Sequence, residues 1–435
     1  MLVGYIARDA MEIFKTYDIR GIYPTELNQD KAFLIGRAIA TLAKDKKIFV
    51  NMDTRRGSRL IKERFLEGIM LSGGKVYDMG LGPIMEAAYA SYKERAFGVS
   101  ITASHNPAQY TGLKTFDNGI MLSPLKIKKI YDNKKFAKGN GSVTPHEIRK
   151  TYIGMATKGS SAKGLRIGVD SMGGATTHVA GEVLKKLGAT PFMLHEQISD
   201  DFYGRQPEPK AEHAKELGQL VKKNGLDFGI QFDADGDRVA FVDEKGRFIE
   251  PVIAGLILIK YKKYKRALIN VSCSNVVREY AKVDYCRTGT FFFVEKMISG
   301  KHVFGMESSS HYYFAKYHPF SEGIVGAVLI ADIVAKTGKA MSELVGEFPK
   351  LHYKTENIHF SDANEREEKM KDIEGRARKF GKVNRLDGIR IDFKNGFMLF
   401  RKSGTEPIIR VCIDADSESA FHEIEDKADE IVGRD

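Results

Sequence analysis

The chain reads as an α/β protein: three similar α/β domains, then a smaller α+β domain. Three observations predict this. The chain has 435 residues, and domains of about 100–150 residues are the norm, so three or four are expected. Short β-rich runs, each followed by a polar loop and then by helical periodicity, recur through the first three quarters of the chain. The final stretch loses that rhythm and turns to hairpin and amphipathic-helix patterns.

Taken in order, residues 47–53 (KIFVNMD) and 97–102 (FGVSIT) are strand-like, and the second run ends at a polar loop. Residues 165–170 (LRIGVD) run into Ser-Met-Gly-Gly and a helix over about 177–187. Residues 227–232 (DFGIQF) end at an acidic loop, and 238–242 read as the returning strand. Residues 267–271 lead into Ser272-Cys273-Ser274-Asn275, which reads as a helix start. Residues 302–305 form a further strand that leads into Met306-Glu307. In the last unit, 361–379 predict a helix, 388–393 and 396–400 a hairpin around Lys394-Asn395, 407–413 a strand and 417–432 an amphipathic helix. The units run 1–152, 153–249, 250–352 and 353–435. Ligands of α/β sheets gather at the carboxyl ends of strands, so the polar loops there are the places to look for chemistry.

The composition is that of a globular enzyme, 43% hydrophobic and 29% charged, with a net charge of +11. A basic surface attracts anions, whether nucleic acid, membrane or phosphorylated metabolite. The lysine-rich stretches 126–138 and 261–266 lack any nucleic-acid signature and read as solvated helix faces. Cys273, Cys286 and Cys412 are odd in number, with no C-x-x-C pair. That argues against a disulfide framework or a zinc site and for a reducing compartment. The longest apolar run, 323–334, is interrupted by Asp332 and falls short of the ~18 residues of a membrane span. Residues 1–10 lack a cleavable apolar core, Met11 offers an alternative start, and the cytoplasm is the expected location.

Five loops could carry chemistry. Asp233, Asp235 and Asp237 alternate along one loop, where crowded like charges call for a cation, and oxygen ligands suit Mg²⁺ or Ca²⁺. An EF-hand is the rival reading, since Glu244 falls at its twelfth position. Arg238 at the sixth position, where glycine belongs, and strand-like flanks oppose it; an exposed acidic turn is the bland reading. Ser104, in Thr-Ala-Ser-His-Asn-Pro, is a candidate nucleophile or phosphate carrier outside any G-x-S-x-G elbow, or a plain loop serine. His105 beside it orients the loop, because neighbouring side chains in extended backbone point apart. Arg401, Ser403, Gly404, Thr405 and Arg410 form an anion nest, against a capping box of Ser403 with Glu406. Glu307, Ser309 and His311 offer the groups that bind sugar hydroxyls, or a polar turn. Tyr17, Arg20 and Gly21 say little alone.

Together, and in this order along the chain, these segments resemble the α-D-phosphohexomutase family: T-A-S-H-N-P its phosphoserine loop, D-A-D-G-D-R its metal loop, G-M-E-S-S-S-H its sugar loop, and R-K-S-G-T-E-P-I-I-R its phosphate loop. Y-D-I-R-G near the start, V-D-S-M-G-G and R-T-G at Arg287 fit as well. The resemblance implies four domains around a central cleft and a mutase of hexose 1-phosphate and hexose 6-phosphate, mannose or glucose. Phosphoglucosamine mutase and phosphopentomutase are the alternatives. It implies Ser104 as phosphoserine, with Asp233, Asp235, Asp237 and the Ser104 phosphoryl group holding Mg²⁺. Arg238 would contact the transferring group. Tyr17, Arg20, Lys114 and His311 would surround the reacting hydroxyl, with Lys114 as general base. Arg287, Glu307 and Ser309 would bind sugar, and Arg401, Ser403, Gly404, Thr405 and Arg410 the resting phosphate. A hexose 1,6-bisphosphate activator and a phosphosugar partner follow, with neither nucleic acid nor membrane, in a monomer or small homo-oligomer. Ser310 and Met306 stand where the family's sugar loop has glycine, Thr111-Gly112 replaces Asn-Gly, and Ile84-Met85 replaces Thr-Pro. A calcium- or nucleic-acid-binding protein without catalysis is the alternative from another class.

Overall fold

The computed structural model describes residues 13–403 and 407–434. The expectations placed on residues 1–11 therefore lie outside the described residues, as do Gly404 and Thr405.

Four sheets follow one another along the chain. The first holds β1 (Ile19–Ile22), β2 (Ile48–Met52), β3 (Lys75–Leu81), β4 (Phe97–Ile101), β5 (Tyr110–Asp117), β6 (Ile120–Met121) and β7 (Ser142–Pro145), in the order β1-β5-β4-β2-β3-β7 with β6 on β5. The second holds β8 (Arg166–Asp170), β9 (Thr190–Leu194), β10 (Phe228–Phe232), β11 (Val239–Asp243) and β12 (Phe248–Ile249), in the order β12-β11-β10-β8-β9. The third holds β13 (Arg266–Asn270), β14 (Lys282–Cys286), β15 (Phe304–Met306), β16 (Tyr312–Phe314) and β17 (His318–Ser321), in the order β14-β13-β15-β16-β17. Each has a parallel centre with antiparallel strands at one edge. The fourth, β18 (His352–His359), β19 (Val383–Asn384), β20 (Ile389–Phe393), β21 (Gly396–Lys402) and β22 (Ile408–Ala415), is antiparallel throughout.

Central strands such as β4 and β10 are buried at every residue, as continuous apolar runs covered on both faces must be. One hydrophobic core runs from Phe49 and Ile84 through Phe232 and Phe304 to Phe348, so the first three domains share it. The fourth keeps its own core around Ile391, Phe400 and Ile431.

The helix Gly323–Thr337 is apolar on every side and buried from Gly323 to Val334. Such a helix belongs in the middle of a protein or in a membrane. Here Asp332 is tied to Lys262 at 2.7 Å, Lys336 at 2.9 Å and the Ser161 amide at 3.0 Å. Among the described residues no helix is long and apolar enough to cross a membrane. The lysines of helix Pro124–Asn133 lie on its outer face, while Ile127 and Tyr131 point inward.

One element differs from expectation. After β13 the chain forms only a four-residue helix, Val277–Tyr280. The polar residues that would have capped a longer helix are spent on a turn: Asn270 Nδ2 donates to Ser272 Oγ at 2.8 Å, and the Cys273 amide to the Asn270 carbonyl at 3.1 Å.

Candidate active site

β4 ends at Ile101, and the chain turns through Ser104 with φ of +51°. Left-handed backbone is costly for a side-chain-bearing residue and persists where the surroundings enforce it. Here Arg55 does so. Its guanidinium donates to the carbonyls of Ser104, Asn106 (2.7 Å), Pro107 (2.7 Å) and Tyr110 (3.2 Å), and its Nε pairs with buried Asp53 at 3.0 Å. Arg20 adds bonds to Asn106 and Asp18. The Ser104 amide donates to Thr102 Oγ1 at 2.9 Å, and the Ser104 hydroxyl to Asp233 Oδ2 at 3.3 Å. Arg55 and Asp53 escaped the sequence reading. Their one signal was a polar run at the carboxyl end of β2, the place where such residues gather.

The acidic loop joins β10 to β11, so its flanks are strands and the EF-hand reading falls. Glu244 is engaged by the Ser342 amide at 3.0 Å. Asp233 Oδ1 accepts from the amides of Gly236 (2.9 Å) and Arg238 (3.1 Å), which curls the loop around it. Gly236 has φ of +83°, and a Cβ there would meet Thr176 Cγ2 at 2.4 Å, so glycine is required. One carboxylate oxygen each from Asp233, Asp235 and Asp237 lie within 4.8 Å of one another, all three residues buried. Burial, then repulsion from Asp235 and Asp237, pushes the Asp233 carboxyl well up. Burial opposes the charge of Asp237 too, but Lys114, His311 and Arg238 overcome it and hold that carboxyl well below its usual range. Asp235 Oδ1 is buried without a hydrogen-bond partner. Three converging carboxylates with an unmet acceptor suit a hard divalent cation, and Asp233, Asp235, Asp237 and the Ser104 oxygen are the atoms that would hold it.

Lys114, on β5, stands between two of the aspartates. Its Nζ lies 3.0 Å from both Asp235 Oδ2 and Asp237 Oδ2. Burial favours loss of the proton, yet the two carboxylates win and push the pKa up. An ammonium in this position offsets the charge of the two carboxylates. Arg238 Nη1 donates to Glu208 at 2.6 Å and its Nη2 to His105 Nδ1 at 2.8 Å. Burial and Arg238 keep His105 neutral, an orienting group for the loop.

The third sheet brings Glu307, Ser309 and His311 to the same place. His311 Nε2 lies 3.3 Å from Asp237 Oδ1, and its Nδ1 lies 3.0 Å from Ser309 Oγ and 3.4 Å from Glu307 Oε2. Glu307 accepts from the Gly289 amide at 2.9 Å and the Tyr313 hydroxyl at 2.7 Å. Ser310 has φ of +70°, the backbone that glycine would supply. Met306 is accommodated because Gly255 faces it: a Cβ there would meet Met306 Sδ at 2.3 Å. Arg287 stacks on Phe292 at 4.3 Å, and Tyr17 meets the same ring edge-on at 5.7 Å. Burial raises the Tyr17 hydroxyl, with Arg401, Asp387, Arg287 and Glu307 near enough to act on it.

A cavity of about 550 Å³ joins these loops to the fourth domain; Thr288, Ser309, Arg401 and Arg410 line it. Arg401 is held by Asp387 at 2.8 Å and Arg410 by Asn357 at 3.2 Å. The Ser403 amide donates to the Ile408 carbonyl at 3.0 Å, and Glu406 of the capping-box reading lies outside the described residues. The network thus unites Ser104, Lys114, the three aspartates, Arg238, Glu307, Ser309 and His311, with the two arginines across the cavity.

Comparison with known proteins matches the chain to four successive models: phosphoglucomutase/phosphomannomutase α/β/α domain I over residues 11–138, domain II over 148–246, domain III over 253–352 and the C-terminal domain over 361–431. A phosphomannomutase of Methanocaldococcus jannaschii is 32% identical, covering 94% of this chain and 95% of its own. A protein of Pyrococcus horikoshii named "Probable phosphoglucosamine mutase" is 30% identical, covering 96% and 97%. Among solved structures, a phosphoglucomutase/phosphomannomutase family protein of Burkholderia thailandensis superposes with a TM-score of 0.88 at 23% identity, over 97% of each chain.

Proposed function

The chain belongs to the phosphoglucomutase/phosphomannomutase family, and from that premise we propose that it interconverts hexose 1-phosphate and hexose 6-phosphate, of glucose or mannose, through a phosphoserine at Ser104 and a hexose 1,6-bisphosphate. One observation carries the proposal: the Ser104 hydroxyl lies 3.3 Å from the aspartate cluster, and the cavity that Ser309 lines ends at Arg401 and Arg410.

Phosphoryl transfer depends on positioning and charge neutralisation more than on covalent chemistry. Arg401 and Arg410 anchor the phosphate that does not react. Glu307 and Ser309 orient the ring so that its free hydroxyl faces phosphorylated Ser104. The hydroxyl oxygen bonds to phosphorus, the bond from phosphorus to Ser104 Oγ breaks, and His311 takes the hydroxyl proton. Arg238, steadied by Glu208, faces the transferring oxygens, and Asp233, Asp235 and Asp237 would hold a divalent cation, which would further neutralise the charge on those oxygens. The bisphosphate then turns over, so that its other phosphate faces Ser104. Ser104 Oγ takes that group, and His311 returns the proton to the sugar oxygen. A fixed anion site serves both poses, which differ only in which phosphate it grips.

A second reading, glucosamine phosphate as substrate, is favoured by Glu250. Glu250 lines the cavity, is exposed, and has no ion-pair partner among the described residues. An ammonium group would suit it.

The test is ³¹P NMR of the purified protein with Mg²⁺ and a trace of hexose 1,6-bisphosphate, offered the 1-phosphates of glucose, mannose, glucosamine and ribose in turn. Conversion that is lost in Ser104→Ala supports the proposal, and relative rates name the sugar. Full activity in Ser104→Ala refutes the phosphoserine route.

A further inference from the structure

The acidic loop is held through its main chain by three domains. The Ala175 amide of the second domain donates to the Ala234 carbonyl at 2.8 Å, and the Ile84 amide of the first donates to the Asp235 carbonyl at 3.0 Å. The third contact comes from the domain that carries the sugar loop: Ser321 Oγ donates to the Asp237 carbonyl at 2.6 Å. Of these three donors Ser321 alone is a side chain, and it is fully buried.

Its neighbours press on the same place. A Cβ at Gly323 would lie 2.3 Å from the Gly236 carbonyl oxygen and 3.0 Å from that of Arg238, so the first turn of helix Gly323–Thr337 lies directly against the loop. Phe320 meets Phe116 edge-on at 5.1 Å, and Phe116 stands two residues from Lys114 on β5. The Glu322 amide is fixed to the Tyr312 carbonyl at 2.8 Å, and the Val239 amide to the Ser310 carbonyl at 3.1 Å. Residues 320–323 are therefore wedged between the strand that carries Lys114 and the loop that carries the aspartates.

We infer that Ser321 is a positioning residue for the cation site, holding the Asp237 main chain so that its carboxylate converges with those of Asp233 and Asp235. This rests on the reading that the aspartates bind a divalent cation. The third domain then fixes both the sugar loop and one ligand of the cation. A buried carbonyl deprived of its donor either stays unsatisfied or moves to find a partner. Either outcome shifts Asp237 against its two fellow ligands, and partners behind the ligands govern metal affinity.

The experiment is titration of the full, unphosphorylated chain with Mn²⁺ alone, followed by electron paramagnetic resonance. In Ser321→Ala the Mn²⁺ Kd rises about tenfold, the usual scale for a lost supporting partner, and the spectrum of bound Mn²⁺ changes. Glucose 6-phosphate affinity without metal, by calorimetry, stays within about twofold, because Ser321 lies behind the loop and away from the sugar. Ser321→Cys, similar in size with a weaker donor, gives an intermediate Kd and carries the test if the alanine variant does not fold. Wild-type Kd and spectrum in a folded variant overturn the inference and leave the functional reading standing. Failure of the wild-type protein to bind Mn²⁺ would sink the functional reading first, and this inference with it.

Discussion

Glu322 offers a stability test that can be worked through from the structure. Its carboxyl is fully buried beside Ser321. It accepts from the Tyr152 hydroxyl at 2.7 Å and lies 3.2 Å from His318 Nδ1. Burial pushes it from its ordinary 4.5 to about 8, and burial pushes His318 from 6.5 to about 3. Acid and imidazole therefore sit together as neutral groups near pH 7. A folded-state pKa above the unfolded value means that the folded protein holds the proton more tightly. The stability this contributes is complete below pH 4.5 and drains away as pH rises through about 8. At about 1.4 kcal/mol per pH unit, the loss approaches about 5 kcal/mol across that window. That is an upper bound, since local opening that admits water caps the cost. Glu322→Gln keeps the shape and the acceptor for Tyr152 but cannot ionise. Thermal unfolding of both proteins between about pH 6.5 and 8.5 isolates Glu322, because His318 titrates below that window. The variant gains on the wild type as pH rises, by about 1 °C for each kcal/mol in a chain of 435 residues. Parallel Tm profiles across the window would refute the buried-acid assignment.

Other variants probe the site. Asp235→Asn removes one ligand charge and one of the two carboxylates that clamp Lys114; Mn²⁺ affinity falls at least about tenfold, read by the same titration, and unchanged binding would exclude Asp235 as a ligand. Arg55→Ala leaves Asp53 buried without its partner and strips donors from the Ser104 loop. A broken buried pair costs about 3–5 kcal/mol, so Tm drops by several degrees, and Arg55→Lys, lacking the planar fork, does not restore it. Arg410→Ala raises KM for the sugar phosphate about tenfold, with a smaller change in kcat, because it removes binding shared by ground and transition states. An unchanged KM in steady-state assays would place the phosphate elsewhere.

What the sequence determined by itself is what local chemistry fixes. Asp233, Asp235 and Asp237 alternate in one short loop, so their convergence could be read without a fold. The run of strand, polar loop and helix gave the α/β class, because burial of successive sheets demands that rhythm. The strand after Pro407, β22, was legible from its apolar run. What only the tertiary structure decided depends on which strands become neighbours. Arg55 reaches the Ser104 loop because β2 pairs in parallel with β4, and no local pattern sets that pairing. Lys114 was named as general base only by what the resemblance implies. Strand β5 sets it between two carboxylates, which hold its proton more firmly. Met306 in place of glycine is tolerated because Gly255, on the helix Pro251–Lys262, makes room for it. Ser321 gave no signal at all, since a serine at the end of a strand becomes a brace only when a second domain's carbonyl is brought within 2.6 Å of it.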